Sequence, residues 1–288
     1  MLGILLVHKP DGVTSHDVVD VIRRRFGTRR VGHAGTLDPL ATGLLVVAVG
    51  PATRFLQYLP LEPKVYEGVA TFGAETNTQD SEGEVLATGV VPLDLQDQLL
   101  LARSKFVGLI QQLPPMFSAV KKGGKPLYVL ARQGQEIERD PRTVHIGRLE
   151  FDWNARIGND VPFTVECSGG TYVRTLAHDV GREIGCGAYL SKLVRTEVGR
   201  FRLDHARPLD EVQREDLIPL AEALPPMRLV TVAERDQIRI RQGQSLRWDD
   251  ESEGTVGLLD SHGEVFGVGK IESGRLHPEV VIPLEAML

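Results

Sequence analysis

"VGHAGTLDPLATGLLVVAVG", residues 31–50, begins as a glycine-studded loop and ends as an apolar run. Gly32, Gly35 and Gly43 punctuate it, and Asp38, followed directly by Pro39, is its one acid. The closing "LLVVAVG" is short, apolar and β-branched, so it reads as a central strand. Asp38 taken alone has two readings. Asp-Pro opens turns, because the Asp side chain bonds backbone amides two residues on. A carboxylate at the mouth of a strand, among glycines that let a ligand come close, could instead do chemistry. A nucleophilic carboxylate must stay ionised when it loses water, and therefore needs a cation beside it. Spacing within this stretch does not name that cation.

Around this stretch, helix and strand signals alternate without a regular βαβ rhythm. The N-terminal "MLGILLVHKPDG" has too short an apolar patch for a secretory leader and no basic residues ahead of it. It reads as a first strand, Ile4 to Val7, ended by Pro10 and Gly12. "SHDVVDVIRRRFG" (15–27) puts Val18, Val19, Ile22 and Phe26 on one helical face, with Ser15 as the expected N-cap and Gly27 as the stop. "KVYEGVATFG" (64–73) alternates as a half-buried strand, and "TNTQDSEGEV" follows as a polar loop with turn chemistry. "DLQDQLLLARSKFVGLI" (94–110) suggests an amphipathic helix. "QQLPPMFSAVKKGGKPLY" (111–128) breaks all periodicity and suggests an exposed loop. "PFTVEC", a Gly169-Gly170 turn and a helix from about Tyr172 complete this part. Pro225-Pro226 makes a rigid joint, beyond which lie short β-type runs separated by turns.

Length and composition suit a folded protein with one large domain, or a large and a small one: 288 residues, 42% hydrophobic, 25% charged. No apolar run approaches the roughly 20 residues of a membrane span. Two cysteines, Cys167 and Cys186, and scattered histidines form no metal-ligand spacing, so no metal is expected, and the compartment expected is a reducing cytoplasm. The net charge of −6 argues against a polyanionic partner, but its distribution argues for one. Residues 101–148 hold nine Lys/Arg against three acids, and Arg23, Arg24, Arg25, Arg29 and Arg30 form a second basic group. From residue 248 onward nine acids face only Lys270 and Arg275. That asymmetry fits a polyanion-binding face on an otherwise acidic protein, although solvated helix faces would read alike.

Several stretches, in order along the chain, resemble the tRNA pseudouridine synthase B family. "GHAGTLDPLATGLL" (32–45) is similar to its catalytic motif and "HKPDGVTSHDVV" (8–19) to its N-terminal signature. "KVYEGVATFGAETNTQDSEGEV" (64–85), "LPPMFSAVKKGGKPLYVLARQG" (113–134) and "CSGGTYVRTLAHDVG" (167–181) resemble further family motifs, and "GRLHPEVVIP" (274–283) the end of its PUA-like domain. The resemblance implies a mixed α/β (α+β) catalytic domain on a largely antiparallel sheet, residues 1–224, with an RNA-gripping insertion at about 112–148. A small PUA-like β-barrel, residues 225–288, would follow. It implies isomerisation of uridine 55 in the tRNA T loop without metal or organic cofactor. Asp38 would be the nucleophile, Arg174 its counter-ion, and Tyr66 the aromatic that stacks on the flipped base. His33, Tyr172 and Leu193 would contact the substrate; Lys9 would have a supporting role. Lys64 and the insertion residues Lys121, Lys122, Lys125 and Arg132 would meet RNA phosphates. Phe117 stands where the family pattern has tyrosine, and the acidic C-terminal module is unlike an RNA grip, which leaves that work to the insertion. The protein expected is a cytoplasmic monomer with tRNA as partner, no obligate protein partner and no membrane contact. The rival reading is a non-catalytic tRNA-folding chaperone, which would have no need of the Asp38 and Arg174 pair. A hydrolase using Asp38 would need a second acid that no motif supplies.

Overall fold

The "LLVVAVG" run lies in a strand with nearly every side chain buried, Thr42–Val49, and the sheet is built around it. The computed structural model describes residues 1–118, 120–131, 133–249 and 253–283. We label the strands of the main sheet β1 (Gly3–Lys9), β2 (Val31–Ala34), β3 (Thr42–Val49), β4 (Lys64–Phe72), β5 (Gly108–Gln112), β6 (Arg142–Phe151), β7 (Asp160–Cys167) and β8 (Ala188–Val198). Its order is Arg207–Pro208, β1, β3, β8, β4, β7, β6, β5, with β2 on β3 and Phe201–Arg202 on β8. Only β3 with β8, and β1 with Arg207–Pro208, pair parallel. The sheet is mixed and largely antiparallel.

β1 runs along one edge of β3 from Gly3↔Val49 to Lys9↔Gly43. The other edge is divided. β2 takes Val46 to Val49 and β8 takes Thr42 and Gly43, so β3 changes partners at Leu44 and Leu45. The Asp38 loop, residues 35–41, joins β2 to β3 at this fork. Gly43, at φ 102, has no room for a side chain: a Cβ there would overlap the backbone carbonyl of Arg195. Gly43→Ala should therefore destabilise the fold by about 2 kcal/mol or more, read as a lower urea midpoint at unchanged slope.

Helix α1 (Ser15–Phe26) packs Val18, Val19, Ile22 and Phe26 against Leu5, Val7, Leu45 and Val47 of the sheet. Its N-cap is Thr14, not Ser15. The Thr14 hydroxyl accepts from the Asp17 amide while the Asp17 carboxylate accepts from the Thr14 amide, a capping box. Ser15 is buried and committed elsewhere: its Oγ accepts from the Leu37 amide (2.8 Å) and donates to the Leu37 carbonyl (3.1 Å), tying α1 to the Asp38 loop. Helix α2 (Leu95–Phe106) is shorter than its sequence suggested. Val107 is extended and Gly108 lies at φ 97, which turns the chain into β5. Helix α3 (Val173–Ile184) packs Val173, Leu176, Ala177 and Val180 into the core formed by β4, β6, β7 and β8.

A second, five-stranded sheet curls up at the C-terminal end, in the order 228–231, 254–259, 265–272, 275–281, 246–247. Its connecting helix, Glu234–Arg241, has too few apolar residues to be legible in the sequence and buries only Ile240. Val265, Val268 and Ile282 of this part share a core with Leu44, Val46 and Phe55 of the main sheet.

Candidate active site

Asp38 stands in the fork loop with 41% of its side chain open. Arg174, in the first turn of α3, is buried and reaches it: Nη2 lies 3.3 Å from Asp38 Oδ2. The same guanidinium donates from Nη1 to Asp80 Oδ2 at 3.1 Å and from Nη2 to the Phe117 carbonyl at 2.5 Å. Asp80 is 2% exposed and lies between the short strands Ala74–Thr76 and Val85–Thr88. Its Oδ1 accepts from the Thr78 hydroxyl and the Glu82 amide, leaving Oδ2 for Arg174. One buried cation thus spans two carboxylates, one enclosed and one half-open. Burial raises the pKa of the Asp38 carboxyl above the ordinary value; Arg174 opposes this and Asp80 reinforces it. The net geometry is that of a charged group held in place with one side free.

The supports lie beneath. Cross-strand neighbours face the same side of a sheet, and one row runs Lys9, Gly43, Arg195, Tyr66 across β1, β3, β8 and β4. Lys9 is fully buried and donates to the carbonyls of Pro10, Val13 and Pro39 at 2.9, 2.6 and 3.1 Å. Burial lowers its pKa to about 8, so it remains an ammonium at neutral pH and anchors the loop at Pro39. Arg195 is also fully buried and donates to the carbonyls of Gly35 (2.9 Å) and Leu44 (2.8 Å).

Tyr66 is buried on β4 in one cluster with Leu37 and Leu193. Burial raises the pKa of its hydroxyl above the ordinary value, and the nearby Arg195 offsets only part of this. Leu193 pairs opposite Gly68, where a side chain would collide with the Phe163 ring. The backbone of Tyr172 is bracketed by the Gln112 side chain, which accepts from its amide (2.7 Å) and donates to its carbonyl (3.0 Å). His33 is half-buried on β2, with Nδ1 lacking a hydrogen-bond partner; burial, then Arg195, lowers its pKa. Lys64 is half-buried at the start of β4, beside Gly35 and Arg195. Lys121, Lys122 and Lys125 form a small hairpin whose side chains lie outside the described residues, as does Arg132 altogether. The Phe117 position contributes its carbonyl, an atom indifferent to the missing tyrosine hydroxyl.

Sequence comparison bears on the whole chain. The TruB family pseudouridylate synthase N-terminal domain matches residues 23–173, the tRNA pseudouridylate synthase B C-terminal domain 174–228, and the pseudouridine synthase II TruB C-terminal domain 229–282. The chain belongs to the TruB family of pseudouridylate synthases. The tRNA pseudouridine synthase B of Pseudomonas syringae is 40% identical over 98% of this chain and 96% of its own length. That of Thermobifida fusca is 42% identical over 97% and 98%. Among solved structures, a Cbf5–Nop10–Gar1 complex contains a chain that superposes with a TM-score of 0.68 at 25% identity, covering 98% of this chain and 86% of that one.

The fork loop lies in the part matched by the N-terminal domain, and Arg174 opens the part matched by the tRNA pseudouridylate synthase B C-terminal domain. The sequence reading missed two of the residues gathered there. Asp80 lay inside the 64–85 motif but read as turn chemistry. Arg195 carried no signal of its own, since a lone Arg in a strand reads as surface. Lys9 is far more deeply buried than its place before Pro10 suggested.

Proposed function

We propose that the protein isomerises a uridine of tRNA to pseudouridine, at position 55 of the T loop, with Asp38 as nucleophile on a flipped-out nucleotide. The N1–C1′ bond breaks, the base turns over, and a C5–C1′ bond forms. C5 loses one proton and N1 gains one, so composition is unchanged. Asp38 attacks the nucleotide and is released as the new bond closes. The observation that carries this reading is the Arg174 guanidinium beside a half-open Asp38 carboxylate, an arrangement that RNA binding alone would not require. The names of the full-length relatives support tRNA as the substrate class. Extruding a base from a folded loop costs a few kcal/mol, which stacking on an aromatic such as Tyr66 offsets in part. His33, Tyr172 and Leu193 would line the space around that base, with Lys64 under the loop.

The basic insertion would hold the T arm by its phosphates, with Lys121, Lys122, Lys125 and Arg132 as its gripping side chains. Replacing Lys121, Lys122 and Lys125 with Ala should weaken RNA binding and flatten the dependence of log K on log salt by roughly 0.7 to 0.9 for each phosphate no longer neutralised. An unchanged slope would remove these residues from the grip. We assign residues 1–224 to catalysis and 225–288 to an appended PUA-like domain. The acting unit in our reading is a cytoplasmic monomer without an obligate protein partner. No helix among the described residues is long and apolar enough to cross a membrane.

The test is to incubate the purified chain alone with unmodified tRNA and map pseudouridine by position. We expect one modified site, in the T loop. Modification elsewhere would change the specificity assigned, and tight binding with none would favour the chaperone.

A further inference from the structure

The first turn of a helix leaves amides that something must satisfy, and α3 does not close its own. Tyr172, at the cap position, makes no capping bond with its side chain, and no acid stands in the first turn. The contrast is α1, where Thr14 and Asp17 close a capping box from within. Helix α3 also carries a cation, Arg174, at the end where the helix dipole opposes one. Two glutamines from other elements do the closing. Gln112, the last residue of β5, is buried; its Oε1 accepts from the Tyr172 amide at 2.7 Å and its Nε2 donates to the Tyr172 carbonyl at 3.0 Å. It meets the cap amide as the acid of a capping box would. Gln79, next to Asp80, holds the other side: its Oε1 accepts from the buried Thr175 hydroxyl at 2.6 Å. Arg174 lies between these two holds.

Gln79 stands in a left-handed backbone, φ 67, which a residue with a long side chain seldom adopts. Such a conformation persists where its surroundings over-determine it. The Gln79 carbonyl accepts from the Leu190 amide at 3.0 Å, and the Ser81 amide donates to the Leu190 carbonyl at 2.9 Å, which pins the Asp80 loop to β8. Gln79 therefore ties α3 to a fixed point. The contacts of Arg174 show where slack in that turn would appear. Those to Asp80 and the Phe117 carbonyl are 3.1 and 2.5 Å, and that to Asp38, at 3.3 Å, is the longest of the three. A first turn that drifts keeps the shorter bonds and lengthens the one to Asp38.

We propose that Gln112 and Gln79 are positioning residues for the isomerisation: by capping α3 from outside, they aim Arg174 at Asp38. This rests on the Asp38 reading above. The charged and titratable groups facing Asp38 are Arg174 on α3, Asp80 and Glu82 in their loop, Lys9 on β1 and Tyr66 on β4. Arg174 is the one whose place the glutamines set. Without its aim, burial and Asp80 are left to raise the Asp38 carboxyl further.

The experiment measures single-turnover pseudouridine formation at saturating T-arm RNA from about pH 5 to about pH 8, with RNA affinity and the urea midpoint, for the parent, Q112M and Q79M. Methionine keeps the length of glutamine and removes its hydrogen bonds. The plateau rate should fall about tenfold or more in each variant, because a small misplacement at the reacting group is costly. RNA affinity should stay within about threefold, since phosphate contacts lie elsewhere. The acid limb of the rate profile should move about half a unit or more to higher pH, as Asp38 loses part of its cation. A fall equal at every pH, with that limb unmoved, would mean a purely structural role and overturn the proposal. Weaker RNA binding with the saturated rate intact would place the glutamines in the RNA grip and overturn it too. So would either variant, folded, at the parental rate and profile. Should Q112M fail to fold, Q79M decides by the same three readings. Each of these failures leaves the Asp38 reading standing, since that reading fails only with an active Asp38→Asn variant.

Discussion

Asp38→Asn leaves the protein folded, able to hold tRNA, and inert. Pseudouridine formation should fall on the order of 10⁴-fold or more, the scale on which covalent catalysis disappears with its nucleophile. Asparagine has nearly the same shape, so the loop keeps its anchors at Gly35, Leu37 and Pro39. Arg174 keeps Asp80 and the Phe117 carbonyl. The half-open ion pair itself contributes only about 0–1 kcal/mol, so stability should barely move. RNA affinity should stay within about threefold, because binding rests on phosphate contacts elsewhere. The parent enzyme should show the matching pH dependence. Only ionised Asp38 attacks, and burial raises its pKa, so the rate should decline with falling pH sooner than an ordinary carboxylate would allow. Efficient turnover by the Asn variant would exclude Asp38 from the chemistry.

Arg174→Met strikes stability and activity together. It strands Asp80, 2% exposed, without its cation and leaves the Phe117 carbonyl without its donor. Removing one partner of a buried pair costs about 3–5 kcal/mol, mostly the penalty on the charge left behind. A urea titration should show that loss, and turnover should vanish as Asp38 loses its aim. The double variant Arg174→Met with Asp80→Asn separates the two effects. Neutralising Asp80 should return most of the stability and none of the activity. If the single variant unfolds at the parental midpoint, the buried carboxylate does not depend on Arg174. If the double variant regains turnover, Arg174 is not what holds Asp38 in its working state.

What could be read from the sequence was local. The β3 strand, the α1 face and the Gly27 stop follow from periodicity and turn chemistry, and the large mixed sheet with a smaller C-terminal sheet follows from the family motifs. The misread elements failed for local reasons too. Ser15 looked like a cap because its buried bonds to Leu37 come from another part of the chain. The helix expected through Ile110 stopped because Gly108 takes a left-handed backbone that a pattern of apolar residues does not display. Asp80 was hidden by its own success as a turn former. One of its oxygens does what turn chemistry predicts, and the other, which sequence cannot show, holds Arg174. The row of Lys9, Gly43, Arg195 and Tyr66 needs the register of four strands far apart in sequence, and single-strand patterns carry no register.

The partner change along β3 also fixes where the reactive group can stand. Only glycine fits at position 43, against the Arg195 backbone, and Arg195 reaches Leu44 where the two covering strands leave it bare. Sliding β8 by one residue would turn Arg195 to the opposite face, and sliding β1 would do the same to Lys9. The position of Asp38 is thus set as a notch in a ruler is set, by counting along the backbone rather than by the fit of surrounding side chains. Substitutions that swell or shrink the core should melt this protein before they shift the carboxylate.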